Sequence, residues 1–185
     1  NKIKIMAHLE QQQFCNDVKA LHPTYFDKVK VLDIGSLDIN GNNKVLFTNS
    51  DYTGLDIAEG KNVDVVSVAH EFKTKAKFDV VVSTECLEHD IHWKQTLKKM
   101  IQLTKKGGLI LLTCATTGRP EHGTTKEHPI TSPNTIAKGG EWADYYKNLT
   151  KEDIDSVFKA ETNFTSFDYI INGRSNDLYF WGIKK

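Results

Sequence analysis

Two aspartates lie at or near the ends of two short segments in the first third of the chain, and their spacing is typical of a nucleoside site. The first segment, residues 29–34, is mostly apolar; it contains Asp33 and is followed by Gly35. The second segment, residues 51–56, ends in Asp56. The first segment is predicted to be a buried parallel strand, with Asp33 and Gly35 at its carboxyl end. An acid about 20 residues after such a loop can accept hydrogen bonds from both hydroxyls of a ribose. The two aspartates therefore predict a site for a ribose-containing cofactor.

The loop after the first segment argues against a dinucleotide such as NAD. A pyrophosphate-binding loop has the pattern G-x-G-x-x-G, whereas this loop reads GSLDING and places Asp38 where a doubly negative group would lie. Gly35 permits a sharp turn, and the amides at the start of a following helix can receive a carboxylate. These features favour a cofactor with a ribose and an amino-acid tail but no phosphate.

Several histidines and acids raise the alternative of a metal-dependent hydrolase. Glu88, His89, Asp90 and His92 are close in sequence, and His122 and His128 follow later. His89 and His92 are three residues apart and can share one face of a helix, as ligands require. Acids at a helix N-terminus are already explained by the helix dipole, however, and no metalloprotease signature occurs. The sequence therefore favours a site without a metal.

Composition limits the partners of the chain. Its 185 residues suit one domain, predicted to span 1–185, and the 24 basic residues balance the 24 acidic ones. This balance disfavours nucleic acid as a partner and favours a small molecule. Three scattered cysteines suit a reducing compartment, and no apolar run of about 18 residues occurs, so the expectation is a cytoplasmic protein without a membrane span. Oligomeric state is left open.

The elements that must position these residues follow from hydrophobic periodicity. Apolar runs predict strands at 29–34, 51–56, 62–66, 78–83 and 109–114, and helical spacing predicts helices at 6–22, from Trp93 to a cap at Gly107-Gly108, and at 151–160. Residues 165–171 and 177–183 predict an antiparallel hairpin. The fold class is therefore an α/β, doubly wound sheet, mostly parallel, with a C-terminal antiparallel hairpin. Residues 1–28 form a helical cover, and the aperiodic but aromatic-containing segment 116–148 is predicted to be a lid or substrate loop.

Four of these segments resemble the motifs of the class I, Rossmann-like S-adenosylmethionine-dependent methyltransferases. They are VLDIG, GLDI, FDVVVSTECLEHD and GGLILLTC, in the family's order and followed by its terminal hairpin. The resemblance implies S-adenosylmethionine as cofactor, and it implies a role for each matched residue. Asp33, Gly35 and Ser36 would line the methionine end, Asp56 would hold the ribose, Ile57 would pack on adenine, and Thr84 and Glu85 would lie beneath the sulfonium.

The sequence departs from this family at the adenine contact. Val68 stands where many of the resembled enzymes have an acid, which leaves the backbone at Ala69 or the side chain of His70 to hold the adenine. The segments TTGRPEHGT and WADYYKNLT are similar to a subset of methyltransferase-domain proteins, a similarity that implies no substrate. The expected function is methyl transfer to a small-molecule or glycan acceptor. The alternative, supported by the missing acid, is an inactive cofactor-binding module or regulatory subunit.

Acceptor chemistry adds a second group of candidate residues. Methyl transfer needs alignment, and a hydroxyl or amine acceptor also needs a general base. His122, His89 and Glu85 are the candidate bases. Arg119 can clamp a carboxylate or phosphate, and Tyr145 and Tyr146 can wall the acceptor pocket. Ordinary surface and packing roles are the alternatives for His122, Arg119 and the two tyrosines.

Overall fold

A computed structural model describes residues 2–185, with side chains from residue 9 onward. Seven strands form one sheet in the order β3-β2-β1-β4-β5-β7-β6. Strands β1 to β5 pair in parallel, and the last two strands pair antiparallel, which confirms the predicted fold class. The strands are β1 (Lys30–Ile34), β2 (Asp51–Asp56), β3 (Val65–Val66), β4 (Phe78–Thr84), β5 (Thr104–Ala115), β6 (Phe164–Asn172) and β7 (Asp177–Lys184).

The helices are α1 (Lys2–Leu21), α2 (Trp93–Leu103), α3 (Pro133–Lys138), α4 (Glu141–Asp144), α5 (Lys151–Phe158) and α6 (Ala160–Asn163). Successive residues of β4 point to opposite faces of the sheet. Val81 packs in the cluster that contains residues of α2 and α5, and Val80 and Val82 pack in the cluster that contains residues of α1. Both faces of the central strands are therefore covered, as their continuous apolar sequences predict.

Helix α1 provides the predicted N-terminal cover. The ring of its Phe14 stacks on Tyr179 of β7 with centroids 4.7 Å apart, and Phe14 is buried with Val18. The capping box predicted for α5 is also present, because Thr150 and Asp153 each accept a hydrogen bond from the other's backbone amide. None of the described helices combines the length and the apolar character that crossing a membrane requires.

One local prediction was wrong, and another was only partly correct. Gly107 and Gly108 do not cap α2, because the helix ends at Leu103 and β5 begins with the next residue. A Cβ at Gly108 would lie 2.9 Å from the carbonyl oxygen of Asp79, so this glycine permits the close approach of β5 to β4. The predicted strand at 62–66 is reduced to Val65–Val66, which pair with the end of β2.

The segment 116–148 is more regular than its sequence suggested. It contains α3 and α4, each of six residues or fewer, joined by glycines with positive φ angles, Gly139 and Gly140. Helices this short show too little periodicity to be read from sequence. The segment lies over the carboxyl ends of the parallel strands, where it contributes many of the residues that line a large cavity.

Candidate active site

One cavity of about 1300 Å³ opens at the carboxyl ends of β1, β2 and β4. This is the edge at which doubly wound sheets bind ligands. Residues from several separate stretches of sequence meet there. The lining includes the predicted cofactor residues Asp33, Gly35, Ser36, Asp56, Ile57, Ala69, Thr84 and Glu85, together with the predicted acceptor-side residues His89, Arg119 and His122.

Asp33 is a buried carboxylate held by two donors. Asn43 donates from Nδ2 to its two oxygens at 3.1 and 3.2 Å, and the hydroxyl of Tyr52 donates to Oδ2. Burial raises the pKa of Asp33 to about 6, although both hydrogen bonds oppose this shift. Both hydrogen-bond partners of Asp33 are neutral side chains. A cationic ligand group at this end of the cavity could therefore pair with the Asp33 carboxylate.

Gly35 shapes the loop after β1 by the absence of a side chain. Its φ is +79°, and an added Cβ would lie 2.5 Å from both Cβ and Sγ of Cys86. The hydroxyl of Ser36 donates to the carbonyl of Asn62 at 2.9 Å, and Asn62 donates from Nδ2 to the carbonyl of Ser36 at 2.9 Å. Ser36 therefore fixes the loop through its own hydrogen bonds, while the turn at Gly35 lets the backbone border the cavity.

The amides at the start of the loop after β1 donate hydrogen bonds within the protein. No α-helix follows the loop directly; a single 3₁₀ turn at Asn43–Leu46 takes its place. The amides of Gly35 and Ser36 donate to the carbonyl of Leu55 at 2.9 and 3.2 Å. The amide of Leu37 donates to Oδ2 of Asp56 at 3.1 Å. These donors are used to join β1 to β2, which the sequence pattern does not reveal.

Asp56 connects three parts of the site. Besides the amide of Leu37, it accepts hydrogen bonds at Oδ1 from the amide of Ile57 and from Nδ2 of Asn134, each at 2.8 Å. Asn134 belongs to α3, and it also donates to the carbonyl of Ala58 at 3.1 Å. The predicted ribose acid therefore also anchors the segment 116–148 in this structure.

Glu85 lines the cavity directly after β4, in an uncommon backbone conformation. Its φ is +51°, and Oε1 accepts a hydrogen bond of 2.9 Å from the hydroxyl of Thr113. Burial, and next the nearby Asp177 carboxylate, raise the pKa of Glu85 to about 7. A carboxyl group that titrates near neutral pH suits general acid–base chemistry.

Arg119 lines the cavity but already has protein partners. Its Nη1 donates to the carbonyl of Ser175 at 2.7 Å and lies 3.4 Å from Oδ1 of Asp177, which is fully buried. The predicted substrate clamp therefore also ties the segment 116–148 to the terminal hairpin.

His89 and His122, two of the candidate bases, lie beside each other. Their ring centroids are 5.0 Å apart, and the ring of Tyr146 lies 5.6 Å from His89 and 5.0 Å from His122. Burial lowers the pKa of His89 to about 3, so this ring is neutral near pH 7 and a weak proton acceptor. His122 is less buried and remains the better placed candidate base.

Three predicted site residues lie elsewhere. His70 does not line the cavity; its ring packs 4.4 Å from that of His92. Tyr145 packs against the core cluster beside α2 and α5, and Tyr146 stands behind the two histidines. The lining near the predicted adenine position consists instead of Ser67 and Ala69.

Sequence reasoning missed several residues that build the site. Asn43 and Tyr52 orient Asp33, Asn134 bonds to Asp56, and Asp177 is a fully buried acid near Glu85. Glu88 was named only as a candidate metal ligand, and nothing in the sequence shows that its side chain is fully buried. Asp177 has no local signal, because it reaches the site only through the pairing of β7 with β5.

Comparison with known proteins agrees with this geometry. A family model described as a methyltransferase domain matches residues 6–151, which is most of the chain. No curated protein sequence matches the chain.

Solved methyltransferase structures are similar to the chain at low sequence identity. The 1,6-didemethyltoxoflavin-N1-methyltransferase of Burkholderia thailandensis, crystallised with S-adenosylhomocysteine, has a TM-score of 0.62 at 14% identity, over 95% of this chain and 78% of that one. NodS of Bradyrhizobium japonicum, an N-methyltransferase, has a TM-score of 0.58 at 13% identity, over 100% and 97%. Phosphoethanolamine N-methyltransferase 2 of Haemonchus contortus has a TM-score of 0.62 at 16% identity, over 94% of this chain and 52% of that one, so the chain spans about half its length.

The family match, the strand order with its terminal antiparallel hairpin, and the acids at the ends of β1 and β2 agree with one another. The chain belongs to the methyltransferase domain family and has the class I methyltransferase fold.

Proposed function

We propose that this methyltransferase transfers a methyl group from S-adenosylmethionine to a small-molecule or glycan acceptor bound in the same cavity. The observation that carries the proposal is the convergence of Asp33, Asp56 and Glu85 on one cavity of about 1300 Å³. Typical small-ligand pockets measure roughly 300 to 1000 Å³, so this cavity has room for a cofactor together with an acceptor.

The β1–β2 side of the cavity fits the cofactor. Asp56 offers carboxylate oxygens to ribose hydroxyls, and the cavity there is bordered by Gly35, where a side chain would clash with Cys86. Asp33 supplies negative charge for an ammonium group. The cofactor provides the reactive sulfonium methyl group, and the protein must align the acceptor with it.

The opposite side fits an acceptor with a polar reacting group. Glu85 and His122 border this part of the cavity and are the candidate bases, and Arg119 adds a positive charge. The balanced net charge of the chain provides no strong field for nucleic acid. A small molecule or a glycan therefore remains the acceptor class that we propose.

A cofactor-binding module without turnover is the second candidate. Val68 supports it, because the family acid for adenine is missing there and the described lining offers Ser67 and Ala69 at this position. This candidate predicts cofactor binding without S-adenosylhomocysteine production from any acceptor. A broad acceptor panel, assayed for S-adenosylhomocysteine release, separates the two functions.

Calorimetric titration tests the cofactor assignment. The purified chain is titrated with S-adenosylmethionine, S-adenosylhomocysteine and NAD, beside the variants Asp56→Ala and Asp168→Asn. We expect stoichiometric binding of the two adenosyl-sulfur ligands but not of NAD, weakened by about 1 to 3 kcal/mol in Asp56→Ala through the lost hydrogen bonds. Asp168, exposed on β6, is the matched control and should change nothing. Binding of NAD alone, or equal affinities in both variants, would refute the assignment.

A further inference from the structure

We infer that Glu88, His89 and His122 form a site for one divalent transition-metal ion at the acceptor side of the cavity. Each residue offers one ligand atom, and the three atoms lie within 4.8 Å of one another. Metal bonds to nitrogen and oxygen are about 2.0 to 2.2 Å long, so ligands of one ion lie roughly 3 to 4 Å apart. A shift of under about 1 Å would bring the three atoms to that spacing.

The sequence analysis names all three residues among six candidate ligands, but sequence spacing alone pairs His89 with His92. In the structure His92 lies outside the cluster, with its ring 4.4 Å from that of His70 and 5.8 Å from Trp142. The third ligand comes instead from His122, on the segment 116–148. A metal-bound His122 cannot also accept a proton, so an occupied site leaves Glu85 as the candidate base. The expectation of a site without a metal rested on the sequence around residues 88–92. That sequence does not show that His122 lies next to His89 in the fold.

Two of the three ligands are buried without partners. Glu88 is fully buried, and no group forms a hydrogen bond of normal geometry with either of its carboxylate oxygens, although the backbone amides of Glu88 and Ala115 are close enough to favour its ionised form. Nδ1 of His89 is likewise buried without a partner, on a side chain that is 5% exposed. Buried polar groups are nearly always paired, since desolvating them without a partner is unfavourable. A cation bound between them would satisfy these atoms.

The third ligand is held in a suitable orientation. Nδ1 of His122 lies 3.0 Å from the carbonyl oxygen of Pro120. A carbonyl only accepts hydrogen bonds, so Nδ1 must carry the proton and Nε2 the lone pair. Metal-binding histidines commonly fix their orientation through such a contact to a backbone carbonyl.

Gly123 permits the approach of His122 to His89. Its φ is +67°, and an added Cβ would lie 2.6 Å from Cε1 of His89 and 2.7 Å from Cβ of Ser132. A glycine at this place is explained if the backbone must pass directly beside the ring of His89. The segment 116–148 is therefore built to hold His122 next to His89.

The charge of the surroundings also favours a cation. Two other carboxyl groups, Glu85 and Asp177, lie near Glu88. Burial first, and then the negative charge of these two groups, raise the pKa of Glu88. Arg119, 3.4 Å from Asp177, is the nearby guanidinium. Among the residues whose side chains are described, three carboxyl groups thus face one guanidinium, and a divalent ion would bring the charges closer to balance. Protonation of Glu88 is the competing explanation, and the variants below separate the two.

The ligand set indicates which ions fit. Two imidazoles and one carboxylate suit Zn²⁺, Mn²⁺ or Fe²⁺ better than Mg²⁺ or Ca²⁺, which prefer oxygen ligands. Three protein ligands leave positions open, and both histidines line the cavity. An acceptor that offers an oxygen atom, such as a hydroxyl or carboxylate compound, would bind at an open position. This last step rests on the proposed function, whereas the ion site itself does not.

Manganese binding to the chelator-stripped chain tests the site. Electron paramagnetic resonance of free Mn²⁺ measures its loss on titration, with Zn²⁺ and Mg²⁺ as competitors. We expect one Mn²⁺ per chain, displaced by Zn²⁺ but not by equimolar Mg²⁺. His122→Asn and Glu88→Gln should each weaken binding at least tenfold. His128→Asn is the matched control, because His128 lies on the same segment outside the cluster at a φ of +48° that asparagine tolerates.

Absence of stoichiometric Mn²⁺ or Zn²⁺ binding would overturn the inference, as would equal affinities in the wild-type chain and His122→Asn. If Glu88 is buried as a neutral, protonated acid and no ion binds, the wild-type chain should likewise show no stoichiometric Mn²⁺ or Zn²⁺ binding. Titration with S-adenosylhomocysteine in parallel shows whether each variant is folded and keeps its cofactor site. Cofactor binding without metal binding would refute the metal site alone, and metal binding without cofactor binding would refute the proposed function alone.

Discussion

Asn134 donates a hydrogen bond from Nδ2 to Oδ1 of Asp56 at 2.8 Å, which joins α3 to the end of β2. The same carboxylate is the proposed acceptor for the ribose hydroxyls of the cofactor. An amide N–H and a ribose O–H are both hydrogen-bond donors. The side chain of Asn134 therefore makes the same kind of hydrogen bond to Asp56 as we propose for a ribose hydroxyl. Entry of the cofactor must then loosen this contact or share the carboxylate with it.

Asn134→Ala should bind S-adenosylhomocysteine as tightly as the wild-type chain or up to about tenfold more tightly. The reason is that a hydrogen bond worth about 0.5 to 1.5 kcal/mol no longer competes for Asp56. Stopped-flow measurement should also show faster association. Asn134→Asp should act in the same direction by placing a second negative charge against Asp56. Asn172→Ala, on the terminal hairpin, is the control, and weaker binding in Asn134→Ala would show that Asn134 helps to hold the cofactor.

Cofactor affinity should depend on pH through Asp33. Burial raises the pKa of Asp33 to about 6, against about 3.9 in an unfolded chain. Between about pH 4 and 6 the folded chain therefore binds this proton more tightly than the unfolded chain does. The contribution of Asp33 to the free energy of unfolding falls as pH rises from about 4 to 6. A bound ammonium group favours the ionised carboxylate, so binding below pH 6 must expel a proton.

We expect S-adenosylhomocysteine to bind about tenfold more weakly at pH 5 than at pH 7, and calorimetry in buffers of different ionisation enthalpy should show proton release at pH 5. Asp33→Asn should flatten this dependence. Asp38→Asn is the matched control on the same loop, because hydrogen bonds from Lys61 and Asn42 lower the pKa of Asp38 to about 2, outside this range. If Asp33→Asn kept the wild-type pH profile, Asp33 would not be the group that faces the ammonium.

Gly35→Ala should destabilise the fold and impair cofactor binding together. A φ of +79° strains any residue with a Cβ, and the new Cβ would lie 2.5 Å from the side chain of Cys86. We expect a loss of about 2 to 4 kcal/mol in the free energy of unfolding, measured with urea. Gly107→Ala separates the two causes, since its φ is +73° but nothing lies within 4 Å of the added Cβ. If Gly35→Ala and Gly107→Ala lowered the free energy of unfolding equally, the close contact with Cys86 would contribute nothing to the destabilisation.

The sheet could be predicted from the sequence because its strands are continuous apolar runs and its order follows from the crossover helices and hairpin. The acids near strand ends could be located for the same reason: Asp33 is the penultimate residue of β1, Asp56 ends β2, and the two strands pair directly. The contacts of Asn134 and Asp177 could not be predicted, because each reaches the site across a long loop or through β7. The hydrogen bonds that the amides of Gly35 and Ser36 donate to Leu55 could not be predicted either, because the glycine pattern does not show them.

The last prediction concerns Arg119, which the sequence suggested as a substrate clamp. Arg119→Ala removes the cation beside the fully buried Asp177 and leaves that carboxylate without its ion pair. Breaking a buried pair from one side typically lowers stability by about 3 to 5 kcal/mol. We therefore expect a large fall in the free energy of unfolding, measured with urea, before any effect on the acceptor is considered.

A double variant distinguishes the structural role of Arg119 from a clamp. Arg119→Met combined with Asp177→Asn removes both charges, and it should recover most of the stability that Arg119→Ala loses because no buried charge is left unpaired. If the double variant regains stability and turnover, Arg119 acts through Asp177 and the hairpin. If it regains stability but not turnover, and its KM for the acceptor rises, the guanidinium also binds the acceptor. Wild-type stability in Arg119→Ala would contradict the structural role, because the ion pair would then contribute nothing to the fold.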